Sequence, residues 1–360
     1  MPQIKPQPGI MDIELYQGGQ SAIPGRTTVL KLSSNENPLG PVPAALEAVG
    51  EAAVDMHRYP STDHAGLRLA ISEVWGVEAD RVICGVGSDE VLQFVTQAFA
   101  GPGDEIIHTE HGFSLYPVLI SMAGATAVKV KEAARLVDVD AILSAVTSRT
   151  RIVLLTNPGN PTGTRLADAE LDRLVMHLPD HVILVIDGAY TEYAAGYDGG
   201  LHHVRSRPNV LMTRTFSKIY GLGGLRIGWG YGAKDLIEVM TRIRQPFNLS
   251  VVQLAAAEAA VREKSWVDRC AALNAEQRAR LIGAMGQLGI ACDPSDTNFV
   301  LARFASGDEA AAAERALKAD GILVRGVKGY GFPEGLRITV GDAEQTGRVI
   351  DSLNRWRHAA

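Results

Sequence analysis

The sequence predicts an α/β fold: a mainly parallel, seven-stranded sheet between helices, followed by a smaller α+β domain. Three observations predict it. Short apolar runs alternate with helix-patterned segments through the first two thirds of the chain. Several of the runs, Val182–Ile186 among them, are continuously apolar, which suits strands buried on both faces. After about residue 245 the pattern changes to long helical stretches with a few short strands. A length of 360 residues accommodates one large or two moderate domains.

Taken in order, residues 1–30 are rich in Pro, Gly and Gln and read as an extended arm. A large domain is expected over 31–245, with about 31–50 packing beside a small domain that spans 246–360. The strand candidates are Val82–Cys84, Glu105–His108, Ala127–Val130, Arg151–Leu155, Val182–Ile186, Val210–Thr213 and Leu225–Gly230. Between them, Asp89–Phe99 places Val91, Leu92, Val95, Ala98 and Phe99 on one helical face, with Ser88 as the expected N-cap. Asp138–Val146 and Ala167–His177 carry the same pattern. In the second part, helices are expected over Val251–Glu263, Val267–Leu288 and about 308–320, and at the end of the chain. Strands are expected at Asn298–Phe304, Ile322–Arg325 and Leu336–Val340.

Composition narrows the function classes. Hydrophobic residues make up 46% and charged residues 21%, which excludes global disorder. The net charge of −6 disfavours a general nucleic-acid binder. No apolar run approaches the ~20 residues that span a bilayer. The start, MPQIKPQPGI, lacks the apolar stretch of a secretory signal. Cys84, Cys270 and Cys292 are far apart and form no CxxC or Cys/His metal spacing. Reduced thiols in a cytoplasmic protein are expected. The histidine pairs His202-His203 and His108…His111 read as surface or loop residues, and no metal site is expected.

In open α/β sheets, ligands bind beyond the C-terminal ends of strands. Four polar clusters fall there: Gly85–Glu90, Thr156–Gly163, Asp187–Tyr190 and Arg214–Lys218. Taken singly, each has an ordinary reading as a turn, a cap or a solvated loop. Neither GxGxxG nor GxxxxGK[ST] occurs, so dinucleotide and P-loop readings lose their support.

Together the clusters resemble the fold-type I pyridoxal-phosphate enzymes, and within them the histidinol-phosphate aminotransferase family. The resemblance runs from Lys31-Leu32-Ser33-Ser34-Asn35-Glu36-Asn37-Pro38 through Arg58-Tyr59-Pro60, NPGNPTG at 157–163, Asp187-Gly188-Ala189-Tyr190 and Thr215-Phe216-Ser217-Lys218 to Gly335-Leu336-Arg337. It implies pyridoxal 5′-phosphate as cofactor, with Lys218 as the amine that bonds to its aldehyde and later moves a proton. Asp187 would hold the ring nitrogen protonated. Tyr190 and Asn160 would bind the phenolic oxygen. Gly87, Ser88 and Asp89 would offer backbone N–H groups to the phosphate at a helix N-terminus, with the Asp89 and Glu90 carboxylates turned away. Thr215, Ser217 and Arg226 would complete the phosphate site, and Tyr59 would reach the phosphate of a neighbouring subunit in a homodimer with shared active sites.

Phe113 stands where the family places an aromatic ring over the cofactor. For substrate, the resemblance implies Arg337 and Arg325 as anion anchors, Asn160 beside them, and Tyr16 closing from the arm. Asn37 is assigned no role. The implied reaction transfers the amino group of L-histidinol phosphate to 2-oxoglutarate, giving 3-(imidazol-4-yl)-2-oxopropyl phosphate and L-glutamate. An aromatic-amino-acid aminotransferase, a threonine-phosphate decarboxylase and a non-catalytic sensor module stand as alternatives. The last would need a DNA-binding domain, for which residues 1–30 are too short.

Overall fold

Period-two alternation sorts each central strand into the two faces of a buried sheet. In Thr150–Thr156, Ile152 and Leu154 pack on one face, and Val153 and Leu155 on the other. Ile183–Asp187 repeats the pattern, with Val185 on the first face and Leu184 and Ile186 on the second. The structure is a computed structural model and describes residues 4–13, 15 and 18–359. Tyr16 therefore lies outside the described residues.

The main sheet has seven strands: β1 (Val82–Gly85), β2 (Glu105–Thr109), β3 (Thr126–Val130), β4 (Thr150–Thr156), β5 (Ile183–Asp187), β6 (Val210–Thr215) and β7 (Gly228–Tyr231). Their spatial order is β1-β7-β6-β5-β4-β2-β3. All neighbours are parallel except β7, which runs antiparallel to both β1 and β6. β2 continues toward one edge of the sheet and β4 toward the other, so their C-terminal loops diverge and open a crevice. The register sets Thr156 beside Asp187 and Asp187 beside Thr213 at that edge.

A second, antiparallel sheet of four strands orders Ala291–Cys292, Phe299–Arg303, Gly335–Thr339 and Arg325–Gly326. Its core gathers Leu281, Met285, Val300, Ile338 and Leu353, joined by Leu32 from the start of the chain. Leu30–Lys31 pairs in parallel with Ile322–Leu323, which ties this early segment to the second sheet. Helix Pro43–Ala52, also expected beside the small domain, instead buries Ala45 in the core of the main sheet.

Packing shows no division at residue 245. Leu249, Leu254, Ala257 and Val261 join the same core as Val42, Leu67 and Ile71. Helix Val251–Arg262, started by a Ser250–Gln253 capping box, thus belongs with the main sheet. The 24-residue helix Lys264–Gln287 bridges the two bodies: Cys270 lies in the first core, and Leu281 and Met285 lie in the second.

One cap differs from expectation. Helix Gly87–Phe99 begins one residue before Ser88, with Val86 at its cap position. The Glu90 carboxylate accepts the Val86 N–H at 2.7 Å and supplies the capping that Ser88 was expected to give.

Candidate active site

The strand ends converge on a cavity of about 190 Å³. Ser88, Asp89, Phe113, Asn160, Asp187, Tyr190, Thr215, Ser217, Lys218, Arg226, Arg325 and Arg337 all line it. Gly87 does not line it, but lies close against the Arg226 guanidinium. Tyr59 does not line the cavity of its own chain; it is 82% exposed and stacks on Phe247 at 4.6 Å.

At the floor, Asp187 is buried, and both its oxygens are engaged. The Thr213 hydroxyl donates to one at 3.1 Å and the Tyr116 hydroxyl to the other at 3.2 Å. Burial, reinforced by the nearby negative charge of Asp89, pushes the Asp187 carboxyl up to about 6. A buried acid with this poise suits a protonated ring nitrogen as partner.

Lys218 follows β6. Its tip meets the cavity, so the side chain is only half-buried, yet the surrounding protein desolvates the amine. That desolvation, helped by the positive charge of Arg337, brings its pKa down to about 8. The nitrogen lies 5.8 Å from the centre of the Tyr190 ring. Burial pushes the Tyr190 phenol up, and Asn35 donates to its oxygen at 2.9 Å.

The opposite end is a cup for an anion. Arg226 adopts a left-handed backbone, φ 54°, and its guanidinium donates to Ser217 Oγ at 3.0 Å. Here a sequence expectation is corrected. The Asp89 carboxylate does not turn away; it faces the cavity and pairs with Arg226 at 3.0 Å, because the guanidinium is the nearest strong counter-charge. Glu90 does turn away, toward Val86 and Asn248.

Two glycines make the cup. Gly87 holds φ +79°, and a Cβ there would stand 2.5 Å from the Arg226 guanidinium. A Cβ on Gly228 would stand 2.1 Å from the Ser88 backbone nitrogen. β7 therefore reaches the helix N-terminus only as glycine. Gly228→Ala should cost on the order of 1–3 kcal/mol of stability through overpacking. It should also weaken binding of the phosphorylated cofactor. Urea denaturation and cofactor titration of the apoprotein check both; unchanged affinity would show that the close approach is irrelevant to the cup.

The roof comes from the second sheet. Arg337 is buried, donates to Asn160 Oδ1 at 2.6 Å and to the Ser33 carbonyl at 3.1 Å, and lies over the Phe299 ring. This bond occupies the Asn160 carbonyl and leaves the amide N–H groups as its donors. Arg325, on the neighbouring strand, lines the same cavity. Phe113 meets Tyr116 edge-on, with ring centres 5.9 Å apart.

Sequence reasoning missed four contributors. Asn35 is fixed by Thr339 and Asn298 of the second sheet. Tyr116 and Thr156 share a hydroxyl contact of 2.6 Å beneath Asp187. Tyr330 lines the cavity and meets Ser114 Oγ at 2.9 Å. Asn35 lies in the quoted Ser33–Pro38 motif and Thr156 opens the Thr156–Gly163 cluster; Tyr116 and Tyr330 offered no local pattern. Asn37 has a shaping task instead, donating to the Ile219 carbonyl at 2.7 Å.

The cavity fits pyridoxal phosphate on its own terms: a desolvated amine, a buried acid, and a cup that added Cβ atoms would fill. The comparisons agree. Residues 27–353 match the family model for aminotransferase class I and II. The chain is 60% identical to the histidinol-phosphate aminotransferase of Ruegeria pomeroyi over 100% of its own length and 99% of the relative's. It is 58% identical to that of a Jannaschia species over 97% of both chains. The crystal structure of the Sinorhizobium meliloti histidinol-phosphate aminotransferase in complex with pyridoxal-5′-phosphate superposes with a TM-score of 0.89 at 26% identity, covering 98% of this chain and 97% of that one.

Proposed function

Because this chain belongs to the class I and II aminotransferase family and, within it, to the histidinol-phosphate aminotransferases, we propose a role for each residue around its central cavity. The protein is a pyridoxal-phosphate-dependent transaminase of histidine biosynthesis. It converts L-histidinol phosphate and 2-oxoglutarate to 3-(imidazol-4-yl)-2-oxopropyl phosphate and L-glutamate. The observation that carries the residue roles is that Lys218 and Asp187, from adjacent strand ends, open into one cavity.

When bound, pyridoxal phosphate supplies an aldehyde for the substrate amine and a ring that accepts the electron pair released at the substrate Cα. Lys218 Nζ holds the cofactor covalently between turnovers and carries the Cα proton during them. Asp187 keeps the ring nitrogen protonated, and Tyr116 and Thr213 hold Asp187 in place. Tyr190 and Asn160 orient the ring from its phenolic side. Gly87, Ser88, Asp89, Thr215, Ser217 and Arg226 seat the phosphate, and Phe113 covers the ring. Arg337 and Arg325 hold the substrate's anionic group.

The Lys218 poise has a measurable consequence. In the apoprotein the amine is charged below about pH 8 and neutral above it. Only the neutral form attacks an aldehyde. Covalent capture of the cofactor should therefore quicken about tenfold per pH unit up to that point and then level off. Borohydride-trapped incorporation against pH measures it. A rate still climbing beyond pH 10 would mean an ordinary lysine.

Exposed apolar side chains on the stretch from Leu46 to Tyr59, with Phe247 against Tyr59, support a homodimer. In it, Tyr59 of the partner subunit completes the phosphate site. Sedimentation of the holoenzyme tests the stoichiometry. Among the described residues no helix is long and apolar enough to cross a membrane. A cytoplasmic location goes with the biosynthetic role. The substrate assignment is tested by kcat/KM for histidinol phosphate against phenylalanine and tyrosine; preference for either amino acid would replace it.

A further inference from the structure

We propose that Asp172, His202 and His203 form a second, separate site that binds one divalent transition-metal ion of the zinc class. Asp172 lies on helix Asp168–His177, and the histidines lie on helix Leu201–Ser206. From sequence these histidines read as surface or loop residues, and His202 is indeed exposed. By contrast His203 is buried, as is His108 at the end of β2. Asp172 Oδ1 lies 3.2 Å from His203 Nε2 and 3.6 Å from His202 Nε2. One ligand atom from each residue falls within 4.8 Å of the others. Zinc bonds of about 2.0–2.1 Å at tetrahedral angles set ligand atoms roughly 3.3 Å apart, close to both measured gaps.

Three further features point to a ligand rather than a chance cluster. His203 is only 5% exposed, and among the described residues its Nε2 makes no hydrogen bond. The approach to Asp172 is therefore close without being aligned as donor and acceptor. His202 Nδ1 contacts Asp198 Oδ2 at 2.8 Å, which fixes that ring and leaves Nε2 as the free atom. A carboxylate behind a ligating histidine is the usual support for zinc. Neighbouring residues on a helix normally diverge, yet these two rings sit 3.8 Å apart at 41° with both Nε2 atoms turned to the same carboxylate. Two imidazoles and a carboxylate, with Asp172 and His202 open to solvent, leave the fourth position to water. The ion would pin the two helices together on the outside of the main sheet, without entering the catalytic cavity.

The test uses tag-free holoenzyme, stripped with a chelator and titrated calorimetrically with zinc chloride. One equivalent should bind, and excess metal should raise the melting temperature. His202→Ala, at an exposed position, and Asp172→Ala should each weaken binding about tenfold or more. Histidinol-phosphate turnover should stay at the parent level. Absence of binding in the parent, or identical isotherms in the parent and both variants, overturns the site.

Discussion

Replacing Lys218 with alanine should lower turnover by more than about 10⁴-fold and leave the protein unable to hold pyridoxal phosphate covalently. The reason lies in how few groups in the cavity can do this work. Arg226, Arg325 and Arg337 also line it, but a guanidinium stays protonated and cannot attack an aldehyde. Lys218→Arg should accordingly fail as completely as Lys218→Ala. Lys218→Ala should not unfold the protein, because the native amine is held in an environment that disfavours its charge. Turnover, the visible spectrum and a urea midpoint form the measurement. Activity within tenfold of the parent in either variant would remove Lys218 from the chemistry.

Asp187→Asn should lower kcat by about 10²–10³-fold, the usual loss when a preorganised electrostatic partner is removed. In the apoprotein it should also have the opposite effect on stability. The carboxyl, ordinarily near 3.8, is raised to about 6 by burial. Between those values the native state binds more protons than the unfolded state, so stability falls as pH rises. Above about pH 6 the full penalty of the buried charge remains. Asparagine titrates in neither state and keeps the Thr213 bond. The apo variant should thus exceed the parent by on the order of 1–3 kcal/mol at pH 7.5 and match it near pH 3.5. Urea denaturation at both pH values checks it. Equal stability at pH 7.5 would mean that Asp187 is not electrostatically strained.

These two side chains were legible because the polar clusters that follow the apolar runs, taken together, resemble a known family, whereas singly each reads as a turn or a loop. The same resemblance assigned Asn160, Thr215, Ser217 and Arg226. Asn35 was harder: the motif around it was visible, but its contact with Tyr190 depends on Thr339 and Asn298, more than 250 positions away. Tyr330 and Asp172 reach their neighbours only through the packing of separate elements. The orientation of Asp89 depended on where Arg226 would place its guanidinium, and the cap at Val86 depended on Glu90 outcompeting Ser88. The expected boundary at 245 failed because the alanine-rich stretch 251–262 looks the same in sequence whichever body it packs against.

The bridging helix Lys264–Gln287 has a consequence for anyone wishing to dissect the polypeptide. A cut within it would divide the chain into two fragments, neither holding a complete catalytic centre. The N-terminal fragment would keep Lys218, Asp187 and Asn35 but lose the anchors of Asn35; the C-terminal fragment would take away Arg337 together with Thr339 and Asn298. Activity would return only where the two pieces re-associate, so fragment complementation would report directly on how the bodies meet.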